Sequence, residues 1–230
     1  MYALAGHIPP GYYERAPEFD WTDEANNRVE GILAEYKDVV KGFFHGHDHS
    51  DAIRLHKSNL VGDGDPTVVS YLTPAGAPLN QNPGFRSYSF DKSSLDILDY
   101  DQYYLNLDKA NAAGVMQWEL EYSARSYFGL DDLTPASWNK LHQRFLDDDS
   151  AFQKFAEINY VQYDLSKCAG SCKATMVCGL FAVTTPRHAA CLASFGYASI
   201  EAVQLARAAE DDASRAQGGV VVETHMPGVD

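Results

Sequence analysis

The stretch that decides the fold is Val39-Val40-Lys41-Gly42-Phe43-Phe44-His45-Gly46-His47-Asp48-His49. An apolar run of strand length ends abruptly in glycine and histidine, as where a buried strand meets a functional loop. In an extended chain His47 and His49 point the same way, because side chains alternate across a strand. Two imidazoles on one side can serve one metal ion or two neighbouring ones. Gly46 lets the backbone approach closely. A bare His-x-His is weak evidence and also describes a surface cluster; the position after a buried strand brings the two readings level.

A second strand-end motif lies upstream. Residues 2–5 are apolar and run into Gly6-His7-Ile8-Pro9-Pro10-Gly11. Two prolines and two glycines make a stiff loop that fixes the imidazole of His7, as a ligand requires. Between the motifs a helix is expected over 23–38. Val29, Ile32, Leu33 and Tyr36 recur at helical spacing and imply a core-facing stripe. A strand, a helix and a strand 40 residues on, counted from His7 to His47, suggest two adjacent parallel strands. All three imidazoles then share one edge of the sheet. They fit a mononuclear zinc site with three histidines, or a site built by several strand-end loops with carboxylates from elsewhere.

Downstream, residues 53–56, 67–72 and 85–90 are strand-like, and further strands are expected near 96–98 and 101–107. The character changes after about 109. Thr134-Pro135 opens a helix with Trp138, Leu141 and Phe145 on one face. Ser150 to Gln153 reads as a capping box ahead of Phe155 and Ile158. Trp118 and Trp138 are expected in the core. His45 is a packing residue or supports the ligands, and His56, His142, His188 and His225 are expected at the surface. Residues 201–230 are read as a polar, disordered tail.

The 230 residues carry a formal charge of −14, an acidic balance that argues against nucleic-acid partners. Hydrophobic residues make up 45%, enough for one good core. No apolar run is long enough to span a bilayer. The first residues lack the features of a signal peptide. Cys168, Cys172, Cys178 and Cys191 cluster late in the chain. Such a cluster means two disulfides or a zinc site. Without a Cys-x2-Cys pair, two disulfides and an oxidising compartment are favoured. Together with the absent leader, this fits a chain whose front has been lost.

The strand-end motifs around His7 and His45–His49 resemble those of the calcineurin-like metallophosphoesterases. Within these the chain resembles acid sphingomyelinase and the sphingomyelinase-like phosphodiesterases. The likeness continues through Tyr71-Leu72-Thr73-Pro74-Ala75 and Asn82-Pro83-Gly84-Phe85-Arg86-Ser87-Tyr88. It extends to Tyr104–Leu107, Tyr122–Arg125, Tyr127–Leu130 and the cysteine spacing, and covers roughly residues 2–193. The resemblance implies an α/β fold: the C-terminal half of a metallophosphoesterase αββα sandwich over 1–108, then a small disulfide-closed helical subdomain over 109–200. It implies the pairs Cys168–Cys172 and Cys178–Cys191.

It also implies phosphodiester hydrolysis at a two-metal site, usually zinc, in which His7 and His47 match ligands of one metal and His49 a ligand of the other. The substrate is a phosphodiester such as sphingomyelin or a nucleotide phosphoester. The setting is secreted, extracellular, lysosomal or vacuolar. Asn82 and Arg86 are cleft candidates, with turn and strand-surface roles as equal alternatives. The family's Asp-x-His, bridging Asp and Asn-His have no counterpart here, and its general acid is expected in the missing first half. This chain alone is therefore expected to bind at most one zinc and to be inactive or nearly so. The competing expectation is a non-catalytic remnant or interaction module. Half a sandwich is expected to expose a sheet edge and to be poorly soluble.

Overall fold

A computed structural model describes residues 1–19, 21–77 and 79–216. Strand β1 (Tyr2–Ala5) leads through a long loop to helix α1 (Asp23–Glu35), and β2 (Val40–His45) follows. Thr22 caps α1, its hydroxyl accepting from the Ala25 amide, with Asp23 and Glu24 in the first turn. β1 and β2 pair in parallel, Ala5 opposite Phe44. β3 (Ala52–Lys57) and β4 (Pro66–Leu72) complete the sheet in the order β1-β2-β4-β3, with β4 parallel to β2 and antiparallel to β3.

β5 (Gly84–Phe90), β6 (Ile97–Leu105) and β7 (Trp118–Ser123) form a second, antiparallel sheet, with the short helix α2 (Leu107–Ala113) between β6 and β7. The sheets meet through aromatic rings. Phe44 packs edge-on to Tyr88 at 5.0 Å, and Tyr71 lies 6.1 Å from both Tyr100 and Trp138. Such offset contacts suit ring quadrupoles.

The rest is helical: α3 (Ala124–Phe128), α4 (Pro135–Asp147), α5 (Asp149–Asn159), α6 (Ser171–Phe181), α7 (Thr185–Ser194) and α8 (Ile200–Ala216). α4 begins as its sequence dictates, Thr134 capping the Ser137 amide ahead of Pro135. The cap of α5 is Asp148, which accepts from the Ser150 and Ala151 amides, and not the expected Ser150. Disulfides join Cys168 to Cys172 and Cys178 to Cys191. The second ties α6 to α7. The architecture is thus mixed α/β followed by a small disulfide-closed helical part.

Three expectations need correction. Residues 201–216 lie in α8, whose Val203 packs against Ala174, Cys178 and Leu192. The expected disordered tail therefore begins no earlier than 217, and its remainder lies outside the described residues. Trp118 is 45% exposed, on the outer face of the second sheet against Phe85, whereas Trp138 is buried. α1 buries Asn26, Glu30 and Leu33, while Ile32 and Tyr36 face solvent. Among the described residues no helix is long and apolar enough to cross a membrane.

Candidate metal centre

The parallel β1–α1–β2 unit brings the two histidine motifs together. The ladder runs on past the strand ends: the Gly6 amide donates to the Phe44 carbonyl at 2.9 Å, and the Gly46 amide to the His7 carbonyl at 3.1 Å. A Cβ at Gly6 would sit 3.3 Å from the His45 ring, a tighter approach than ordinary contact. As a result His7 Nε2 lies 3.4 Å from His47 Nδ1, with the rings nearly perpendicular.

The His47–His49 segment is not extended. Both histidines have left-handed backbone, φ 67° and 59°, so strand alternation does not orient them. Asp48 between them is turned inward and buried, its carboxylate 2.9 Å from Arg54. His49 Nδ1 is sealed from solvent without a hydrogen-bond partner among the described residues. Burial first, then the nearby His47, Arg15 and His7, lower the pKa of His49.

Three groups of His, Cys, Asp or Glu close enough to hold one ion are not found among the described residues. The structure therefore brings His7 and His47 into direct contact as a pair, with no third such group completing a site among the described residues. Tetrahedral zinc with zinc–nitrogen bonds of about 2.0–2.1 Å places neighbouring nitrogens about 3.3 Å apart. The 3.4 Å between His7 Nε2 and His47 Nδ1 fits that edge. The donor set fits half of a zinc site.

Beneath the pair lies a web of buried charge that the sequence reading missed. Arg54 Nη2 donates to Glu14 Oε2 at 2.8 Å and to Asp48 Oδ2 at 2.9 Å. Ser50 and Asn159 also donate to Glu14. Burial pushes the Glu14 carboxyl up, but Arg54, Arg15 and these donors outweigh it and hold it below the usual carboxylate range. Arg15 donates to Asn159 and lies over the Tyr160 ring at 3.9 Å.

A second line runs Arg187–Glu30–His56–Ser70–His45, with contacts of 2.8, 2.5, 2.7 and 3.3 Å. It makes His45 a buried group directly behind Gly6, its pKa lowered to about 3 by burial first and then by His56 and Arg54. The histidines expected at the surface are not there. His56 and His188 are buried, and His142 is half-buried against the Phe181 ring. His225 lies outside the described residues.

Both cleft candidates make contacts within the fold. Asn82 donates to the Val161 carbonyl at 2.9 Å and accepts from the Leu107 amide at 3.1 Å. Arg86 has a fully buried side chain, 2.6 Å from Asp51, with its guanidinium 4.1 Å over the Tyr100 ring. Tyr122 also donates to Asp51, at 2.6 Å.

A parallel strand–helix–strand unit with histidines at both strand ends, backed by an antiparallel sheet, defines the class as a mixed α/β protein with a small disulfide-closed helical part. The chain belongs to the acid sphingomyelin phosphodiesterase C-terminal region family, whose profile matches residues 66–196. The matched segment contains Asn82, Arg86 and all four cysteines, and the three candidate ligands precede it.

Human acid sphingomyelinase-like phosphodiesterase 3b is 29% identical over 208 residues, 85% of this chain and 45% of that protein. Human cyclic GMP-AMP phosphodiesterase SMPDL3A is 32% identical over 202 residues, 84% of this chain and 44% of its own length. Sphingomyelinase phosphodiesterase C of Dictyostelium discoideum is 30% identical over 188 residues, 77% and 42%. The chain thus spans less than half the length of the curated relatives it matches.

Proposed function

We propose that this chain carries the histidine side of a two-zinc phosphodiesterase site, with His7 and His47 holding one ion and His49 belonging to the second. The observation that carries the reading is the 3.4 Å spacing of His7 Nε2 and His47 Nδ1 at adjacent parallel strand ends. The sealed, unpartnered Nδ1 of His49 supports it. Relatives named as phosphodiesterases support the reaction class. The substrate is a phosphodiester, of the sphingomyelin or cyclic-dinucleotide kind that the relatives' names indicate. The two disulfides favour an oxidising compartment.

When bound, zinc supplies Lewis-acid polarisation of the phosphoryl oxygens and a water of lowered pKa. The residues of this chain bind and orient. His7 and His47 would hold one ion, and the buried Asp48–Arg54–Glu14 web holds their loops. Among the described residues no group of three possible ligands is gathered, and we assign no residue to the carboxylate bridge or the general acid. In this reading they come from polypeptide beyond these 230 residues, and the chain alone turns over substrate slowly or not at all.

Zinc content after dialysis, with hydrolysis of bis-(p-nitrophenyl) phosphate, tests the reading. Uptake of about one zinc per chain, lost in both His7→Ala and His47→Ala, with negligible hydrolysis, is the expected result. Zinc uptake unchanged in His7→Ala sinks it. No uptake in the unmodified chain favours a non-catalytic remnant of the fold.

A further inference from the structure

Two loops carry the candidate ligands, and one side chain touches both. His7 lies in the loop over residues 6–22, which also carries Glu14; His47 and His49 flank Asp48. Glu14 and Asp48 are both buried, and both meet Arg54 Nη2, at 2.8 and 2.9 Å. Arg54 lies on β3, whose residues are all buried, and its side chain is 1% exposed. Its Nη1 is anchored on the Ile53 carbonyl at 3.0 Å.

The loop it holds is strained. His47 and His49 both occupy the left-handed region, φ 67° and 59°, which L-residues reach at a cost. Asp48 is the residue between them, and its backbone amide closes a tight turn on the Gly46 carbonyl at 2.9 Å. An inward-anchored aspartate flanked by two left-handed histidines is geometry that an isolated loop does not keep. A guanidinium can meet two carboxylates in fixed directions, whereas a lysine ammonium is a point charge on a flexible stem.

We propose that Arg54 is a positioning residue that sets the approach of the His7 loop and the His47–His49 loop, through Glu14 on one side and Asp48 on the other. The inference rests on the metal-site reading only for what the approach serves. The approach itself is a property of the protein without metal. Ser50 also donates to Glu14, so a neutral contact between the loops survives when the charge at residue 48 is removed.

The test compares the full chain with Arg54→Lys and with Asp48→Asn, an isosteric change that keeps a hydrogen-bond acceptor and the fold. Two readouts are taken. One is the nuclear Overhauser cross-peak between the His7 and His47 ring protons in metal-free protein. The other is zinc affinity by competition with a chromophoric chelator. In Arg54→Lys the cross-peak is lost and zinc binds about 10- to 100-fold more weakly, the range found when groups supporting metal ligands are removed. Asp48→Asn moves both readouts the same way by less. Methyl signals of Leu141 and Val177, in the core, stay in place.

Retention of the cross-peak in both variants with zinc affinity within twofold overturns the proposal, as does its absence in the unmodified protein. A cross-peak lost in the variants of a protein that takes up no zinc leaves the positioning role standing and removes the metal reading instead.

Discussion

His188 lies face to face with Tyr12, ring centroids 3.7 Å apart, and neither ring nitrogen has a hydrogen-bond partner among the described residues. Burial lowers its pKa to about 4. Below pH 6.5 the unfolded chain takes up a proton that the folded chain refuses, so stability falls as pH drops from about 6.5 to about 4. The loss is bounded at about 3 kcal/mol for one such group. His188→Phe keeps the stack and removes the proton site, so urea unfolding should show a pH 7 to pH 4.5 difference smaller by about 2 kcal/mol than in the parent. An unchanged difference would mean that the ring is not held neutral by burial. Glu121 acts with the opposite sign. The pairing of β6 with β7 skips it, Gln102 facing Tyr122 and Tyr103 facing Leu120, so it is the extra residue of a bulge. Burial, and then the charge of Asp51, push its pKa up to about 8. The folded chain then holds a proton that the unfolded one releases above about pH 4.5, and stability falls as pH rises from there to 8. Glu121→Gln should therefore gain up to about 4 kcal/mol at pH 8 and nothing at pH 4, by denaturant titration at both values. The sequence did not betray either group, because burial of a lone polar side chain is a tertiary outcome. It did mark His7 and His47 as candidates whose rings meet, because glycine followed by histidine at the end of an apolar run is a local pattern. The orientation of His47 and His49 was illegible, since it depends on a left-handed turn held from β3.

At the scale of elements, α1 shows why periodicity located a helix and misjudged its face. Its start was legible, its end was placed at 38 and not at Glu35, its Thr22 cap was not read, and two of the residues it buries are polar. Asn26 accepts from the Gly11 amide at 2.9 Å, and Gly11, at φ 92°, needs that anchor for its turn. Glu30 receives His56 at 2.5 Å, Arg187 at 2.8 Å and the Lys57 amide at 3.0 Å. One carboxylate thus joins α1, β3 and α7. A pattern that counts apolar residues finds Val29 and Leu33 on that face, misses the polar pair, and assigns Ile32 and Tyr36 to it wrongly. β3 misleads in the same way: Arg54 and His56 alternate with Ile53 and Leu55 as on a half-exposed strand, yet both faces are covered. Removing one member of a buried ion pair costs more than the pair contributes, because the partner is left uncompensated. Glu30→Gln should accordingly cost about 3–5 kcal/mol, read as a fall in the urea midpoint. A loss below about 1 kcal/mol would show that water reaches Arg187 and restores its solvation.

The whole molecule poses the question of how many cooperative units the chain contains. The sequence reading divides the chain at about residue 109, but the second sheet runs across that point, since β7 pairs with β6. The core does not follow the division either. One contiguous cluster includes Ile53, Leu55, Val69 and Tyr71 from the first sheet, and Tyr100 and Tyr122 from the second. It also includes Trp138, Phe145, Phe155, Val177 and Leu180 from the helices. Polar bonds cross the same line: Arg15 and Asp51 both meet Asn159, and Thr184 donates to the Leu60 carbonyl at 2.6 Å. A helical part with its own core would leave such contacts sparse at the boundary. Here each side exposes much of its buried face if the other unfolds. Far-UV circular dichroism should therefore follow the same urea transition as fluorescence, to which buried Trp138 and half-exposed Trp118 both contribute. A chain comprising residues 109–230 alone should fail to fold. Separated transitions, or a folded 109–230 fragment, would place the helical part in its own cooperative unit. Zinc bound between strand ends of the first sheet would then leave the melting of α4 to α8 unmoved, whereas a single unit raises the stability of every element together when an ion binds at His7 and His47.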